Sequence, residues 1–210
     1  MKPINTLVAL LFISLLSSPS WSVDFDDLVE RDGLYYEKFT DAPYTGKVTG
    51  EGQGSFKNGQ QEGAWVGYHD NGQLMFKGNY KNGEAEGAWD QYHENGQLAI
   101  KTNFKNGKHE GHFLRYWSNG QLRDEMSLKN GEAEGAWEKY HENGQLSSKG
   151  SYKNGEREGA HAYYYEYGQL SSLGNYKNGN REGDWVGYYK DGAVDVWVTG
   201  TWKNGVMIRD

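Results

Sequence analysis

"YHENGQLSSKGSYKNGEREG", residues 140–159, places two Asn-Gly pairs eleven residues apart. Asn-Gly favours a tight hairpin reversal because both residues tolerate positive φ. Two reversals this close leave room for one short strand between them. Outward from this stretch the phrase keeps recurring. Lys-Asn-Gly starts at residues 57, 81, 105, 129, 153 and 177, a step of 24, and again at 203. Asn-Gly-Gln-Leu starts at 71, 95, 119 and 143, and continues in phase as Tyr-Gly-Gln-Leu at 167 and Asp-Gly-Ala-Val at 191. Glu-Gly recurs at 62, 86, 110, 134, 158 and 182. A fixed period of this kind marks stacked repeats, each burying its surface against the next.

With two turns, each 24-residue unit supplies two strands. Taking Asn71-Gly72 as the centre of a type I′ turn predicts the register by counting: His69 opposite Leu74, Gly67 opposite Phe76, Trp65 opposite Gly78, and Gly63 opposite Tyr80. Opposed residues share a face, so large rings fall against glycines, Trp137 over Gly150 and His161 against Gly174. The smaller Phe113 faces the larger Met126 in keeping with this, and only Trp89 opposite Thr102 breaks the row. The other face is more polar, with Lys77, Asn79, Lys101 and Lys149, yet it carries Tyr68, Tyr92, Tyr116, Tyr140, Tyr164 and Tyr188. Either a bulge rotates one aromatic row, or the sheet has an aromatic stripe on each side. The unequal turn spacings place an irregularity in the longer strand, at the Glu-Gly step.

The expected fold is all-β: a single-layer, elongated antiparallel meander of repeated 24-residue β-hairpins. Its repeat domain spans 46–205, preceded by a capping segment, 23–45, and followed by a C-terminal tail, 206–210. The chain has 30 Gly, 3 Pro, 16 Tyr, 8 Trp and no Cys. Much glycine with little proline suits turns and short strands rather than collagen or a Pro-rich linker. Aromatics at 15% supply buried area and argue against disorder. A formal charge of −7 argues against a nucleic-acid partner. The absence of Cys removes disulfides and thiolate metal sites.

"MKPINTLVALLFISLLSSPSWS", residues 1–22, reads as a signal peptide: Lys2, an apolar run from Leu7 to Leu16, then Ser20 and Ser22 flanking Trp21. The run is too short to span a bilayer, which takes ~20 apolar residues. The expected location is periplasmic or secreted, with no membrane insertion after signal removal.

The pattern Gly-x-Trp-x-x-Tyr-x-x-Asn-Gly-Gln-Leu, followed by Lys-Gly-x-Tyr-Lys-Asn-Gly, resembles the bacterial variant of the MORN repeat over roughly residues 46 to 205. The resemblance implies a single-layer β-repeat fold. It also implies a role like that of proteins described as the antitoxin half of a toxin–antitoxin pair.

Nothing in the sequence assembles an enzyme. His69, His93 and His141 recur one per unit, about two strand spacings (~10 Å) apart, too far to share a metal. His109 and His112 flank one Glu-Gly step without a third ligand nearby. Glu84, Glu132 and Glu156 read as solvated turn charges, and no glycine-rich segment precedes a helix. No catalytic residue, cofactor or metal site is expected. Two binding functions remain: a scaffold for a protein partner, with an antitoxin- or immunity-like role, or a module for an envelope or extracellular polysaccharide. The candidate binding surface is the aromatic stripe of Trp65, Tyr68, Trp89, Tyr92, Tyr116, Trp137, Tyr140, Tyr164, Trp185 and Tyr188. Every ring also has a purely structural reading, since a one-layer sheet has little else to bury.

The leader reading predicts a mature N-terminus at Val23. Edman sequencing of protein recovered from its native host checks this; soluble cytoplasmic material that retains Met1 would refute export.

Overall fold

The computed structural model describes residues 22–208. The segment expected to be a signal peptide, residues 1–22, lies outside the described residues, apart from Ser22. The chain opens with β1 (Val23–Asp24), a 3-10 turn (Phe25–Asp27), β2 (Leu28–Arg31), β3 (Leu34–Glu37), β4 (Gly46–Thr49) and β5 (Gly52–Lys57). The repeats continue as β6 (Gln60–Tyr68), β7 (Leu74–Lys81), β8 (Glu84–Tyr92), β9 (Leu98–Lys105), β10 (Lys108–His109), β11 (Gly111–Tyr116) and β12 (Leu122–Lys129). Then come β13 (Glu132–Tyr140), β14 (Leu146–Lys153), β15 (Glu156–Arg157), β16 (Gly159–Tyr164), β17 (Leu170–Lys177) and β18 (Asn180–Gly187). The last two are β19 (Gly200–Lys203) and β20 (Val206–Ile208). β10 with β11, and β15 with β16, are single long strands interrupted at the Glu-Gly step.

From β4 onward the strands pair antiparallel in sequence order, forming one long sheet of hairpins. Two features depart from the expected antiparallel meander and its tail. β1 runs parallel to β4, with Val23 beside Val48, so the sheet is mixed. The segment expected as a tail contributes β20, which pairs Met207 with Trp202. The separate β2–β3 hairpin covers the first repeat: Leu28 joins Val48, Phe56 and Trp65 in a small core, with Phe25, Tyr35 and Tyr44 packed against it.

The two turn families differ in chemistry. The Lys-Asn-Gly turns have positive φ at both central residues, 50° at Asn58 and 78° at Gly59, as type I′ requires. The Asn-Gly-Gln-Leu turns do not, which corrects the type I′ assignment at Asn71-Gly72. Only Gly72 is left-handed there, its N–H donates to the His69 carbonyl at 2.8 Å, and the Asn71 Oδ1 accepts from the Gln73 N–H. Asn71 spends its side chain on its own backbone, so a longer loop replaces the two-residue turn. This loop shifts the count by one, and a bulge shifts it back: Tyr68 pairs with Leu74, but Gly67 pairs with Phe76. The two offsets cancel. The expected pairs Trp65–Gly78 and Gly63–Tyr80 therefore hold, while His69–Leu74 does not.

The irregularity expected at Glu-Gly is present. Between the pairs Gln53–Val66 and Ser55–Glu62, β6 carries two extra residues, with Gly63 at φ 75°. The bulge aims the glutamate at the Lys-Asn-Gly turn that leads into the following unit. Glu62 accepts the Asn82 N–H at 2.9 Å, Glu86 that of Asn106 at 2.8 Å, and Glu110 that of Asn130 at 2.9 Å. Glu134, Glu158 and Glu182 do the same for Asn154, Asn178 and Asn204.

The rings and glycines meet differently from the expectation. Four large rings lean over the glycine of the preceding hairpin, not over their own register partners: Trp65 on Gly54, Trp89 on Gly78, His161 on Gly150, Trp185 on Gly174. Phe76 lies over its own partner Gly67, and Trp137 faces Met126 of the preceding hairpin. Trp89 Nε1 reaches the Asn79 carbonyl at 3.1 Å and Trp185 Nε1 the Asn175 carbonyl at 3.0 Å, which fixes the lean. Gly150 therefore lies beneath His161, although Trp137 is its strand partner. The ring crosses a repeat boundary, so this packing ties units together.

A Cβ on Gly150 would fall inside the His161 imidazole. Gly150→Val is expected to lower stability by about 1–3 kcal/mol more than Lys149→Val, because Lys149 is exposed on the other face. Urea unfolding midpoints of the two variants check this, and equal midpoints would contradict the packing.

Candidate functional site

The two faces divide the candidate aromatic residues into two sets. On one face lie the tryptophans, and they are closed off: Trp65 is 2% exposed, Trp89 6%, Trp137 9% and Trp185 2%. They are linked by rings that lie outside the candidate stripe. Trp65, Tyr80, Trp89, Phe104, His109 and Phe113 form one chain of edge or tilted contacts with centroids 4.2–5.9 Å apart. Trp137, Tyr152, His161, Tyr176 and Trp185 form a second. The linking ring is the residue before each Lys-Asn-Gly, a position the period displays at 80, 104, 152 and 176. Each such pair adds ~0.5–1.5 kcal/mol beyond area burial. The buried tryptophans are the packing between units.

A charged cluster separates the two chains of rings. Asp124 is 2% exposed, with Arg115 Nη2 at 3.1 Å from Oδ1 and Arg123 Nε at 3.3 Å from Oδ2. Arg123 also lies 4.6 Å above the Trp117 ring. Asp124 is the buried member of the cluster, and removing both arginines would strand its charge, the costly way to break such a group.

Tyr68, Tyr92, Tyr116, Tyr140, Tyr164 and Tyr188 lie on the opposite face and are half-buried. The second of the two alternatives is therefore realised alongside the first: the strands are bulged, and both faces carry aromatic rows. Lys77 sits 5.8 Å from the Tyr92 ring and 3.3 Å from Asp90, and the Tyr140 hydroxyl donates to Glu138. That bond, with burial and the Glu138 charge, pushes the Tyr140 pKa up to about 12.

This face also carries a shallow groove of about 400 Å³. Ala136, Ala160, Ala162 and Leu173 line it, with Glu138 and Lys149 beside them. Leu173 replaces the lysine or glutamate of earlier units at its repeat position and is 42% exposed. The apolar groove continues to Val186 in the next unit.

The recurring histidines have a backbone role. Nε2 of His69, His93 and His141 donates to the carbonyls of Tyr92, Tyr116 and Tyr164 at 2.9–3.0 Å. In the two remaining units, Trp117 Nε1 and the Tyr165 hydroxyl donate to the equivalent carbonyls of Tyr140 and Tyr188. One slot thus accepts three side-chain types, and their shared property is a ring-borne donor. Asn71, Asn95, Asn119 and Asn143 make a parallel set of bonds to the next turn, and Tyr167 stands in for the fifth. Burial pushes the pKa of His109 down, and does the same for His161 against an opposing hydrogen bond to the Gly159 carbonyl. His109 lies on the tryptophan face, its Nδ1 bonded to Thr102 Oγ1 at 2.9 Å, whereas His112 lines a hollow with Met126 and Trp137.

The family described as MORN repeat variant matches five successive segments: 61–82, 85–106, 110–130, 133–154 and 157–178. These segments cover more than half of the 210 residues. The chain belongs to the MORN repeat variant family. Each matched MORN segment contains both ends of one glutamate–asparagine bond, from Glu62 with Asn82 to Glu158 with Asn178. No curated protein matches the chain significantly.

Proposed function

We propose that this MORN repeat protein is a non-enzymatic, exported scaffold that holds a protein partner across several units. The observation that carries the reading is the tyrosine-bearing face. Its rings stay half-open while the tryptophans are buried, and its groove over Ala160, Ala162 and Leu173 interrupts an otherwise charged surface. Small residues let a partner's side chains approach the backbone closely, and flanking Glu138 and Lys149 offer polar rim contacts. A protein partner of the same compartment, such as an exported toxin neutralised by an immunity-like scaffold, suits a surface of this kind. The chemically suggestive side chains support binding over catalysis, because each recurs once per unit and is spent on the neighbouring backbone.

Binding spread over units should weaken in steps as units are removed, because each contributes a share that multivalency amplifies. Deletion of residues 81–104 and, separately, of 129–152 removes one period and keeps the turns in phase. Both variants are expected to fold and to capture the partner from the envelope fraction more weakly than the full chain. A single deletion that abolishes capture while the other leaves it intact would refute a distributed site.

A further inference from the structure

The residue before each Glu-Gly projects beside the aromatic row on the tryptophan face. In order, the six units place Gln61, Ala85, His109, Ala133, Arg157 and Arg181 there. Four units fold around this position with neutral or small side chains, so the repeat does not need a cation at it. The last two units nevertheless carry arginine.

Both guanidinium groups sit on rings. Arg157 lies 5.2 Å from the Tyr176 centroid and donates from Nη1 to the Tyr176 hydroxyl at 3.2 Å. Arg181 lies 4.4 Å from the Trp185 ring and 4.7 Å from that of Trp202. Tyr163 completes the group, its hydroxyl 3.2 Å from that of Tyr176. Among the described residues neither arginine has a carboxylate within ion-pair distance, whereas Arg31, Arg115 and Arg123 each do. Two arginines without an ion-pair partner therefore occupy the same position in adjacent units of a chain of formal charge −7. The local potential leaves a trace on Tyr176. Burial works to raise its pKa, yet the net shift is downward, because Tyr163, Arg181 and Arg157 favour the anion.

From this arrangement we infer that Arg157 and Arg181, with Tyr163, Tyr176 and Trp202, form a track for an extended acidic polysaccharide bearing one carboxylate per disaccharide. Each guanidinium, pre-positioned by its ring, offers a planar fork of N–H donors that matches a carboxylate. Equivalent positions in adjacent units are two strand spacings apart, about 10 Å, which is comparable to one extended disaccharide. Tyr163 and Trp202, the half-exposed rings beside the cations, suit the apolar faces of sugar rings, while Tyr176, 8% exposed, positions Arg157 from below. An anionic bilayer fits less well, because two arginines fall short of the about four to eight clustered basic residues that a lipid surface takes. The track lies on the face opposite the apolar groove, so it goes beyond the scaffold reading and is tested separately from it.

The probe is hyaluronate, which carries one carboxylate per disaccharide, measured by titration calorimetry against the full-length mature chain at low salt. Wild-type protein is expected to bind hyaluronate, more weakly as salt rises, and to ignore a neutral chitin oligomer. Arg157→Gln and Arg181→Gln should each weaken binding about tenfold, the loss of one charge-assisted contact, with urea midpoints reported alongside. Should either Gln variant fail to fold, Arg157→Lys and Arg181→Lys keep the charge, lose the planar fork and must still bind more weakly than wild type. Absence of hyaluronate binding, or Gln variants that fold and bind like wild type, would overturn the track. Equal or tighter binding of poly-glutamate or phosphatidylglycerol vesicles would overturn the assignment to a polysaccharide. None of these outcomes bears on capture of a protein partner by the opposite face.

Discussion

A carboxylate of each unit closes the turn that leads into the next, and the rest of the sheet is arranged around that bond. Each type I′ turn leaves the N–H of its asparagine unpaired by the ladder. The glutamate of the Glu-Gly bulge in the preceding hairpin meets it in six turns. The bond fixes three things together. It holds the left-handed asparagine, it requires the bulge that swings the glutamate outward, and the bulge sets where the tryptophan ring falls. The ring then lies over a bare glycine of the earlier hairpin. A lone unit could make the carboxylate bond but not the ring contact, which crosses a unit boundary, as Trp89 on Gly78 does.

The result is a sheet whose stability is a sum over neighbours. Its single layer leaves two wide faces, and the sequence treats them unequally. The tryptophan face is sealed by rings until the last units, where arginine appears among them. The tyrosine face stays half-open and mixed in polarity until the groove around Leu173. Both exceptions to the repeat fall in the C-terminal third. In the middle, Asp124 with Arg115 and Arg123 replaces ring contacts by buried charge, and the aromatic chain is broken there.

The period, the hairpins, the all-β class and the bulge at Glu-Gly were legible in the sequence because each leaves a residue-type signature at a fixed phase. The Asn71-Gly72 turn was not. Asn-Gly serves two turn types, and the choice depends on whether the asparagine side chain folds back on its own backbone or the residue adopts positive φ. The lean of the rings was hidden for a related reason. Register gives the residue across the strand, but a tryptophan is long enough to cover the neighbour on its other side. The split of the ten candidate site residues into buried tryptophans and half-open tyrosines follows from strand alternation once the bulges are placed. The arginine positions were visible as departures from the repeat, but their neighbours were not.

The account stands on the carboxylate–turn bond, and one comparison tests it directly. Glu132 and Glu134 lie on the same strand and carry the same charge, but only Glu134 binds the next turn, at the Asn154 N–H. Urea unfolding of Glu134→Ala should show a loss of about 1 kcal/mol, the usual worth of a capping side chain, while Glu132→Ala stays near wild type. Equal midpoints for the two variants would contradict the claim that this bond closes the turn between units.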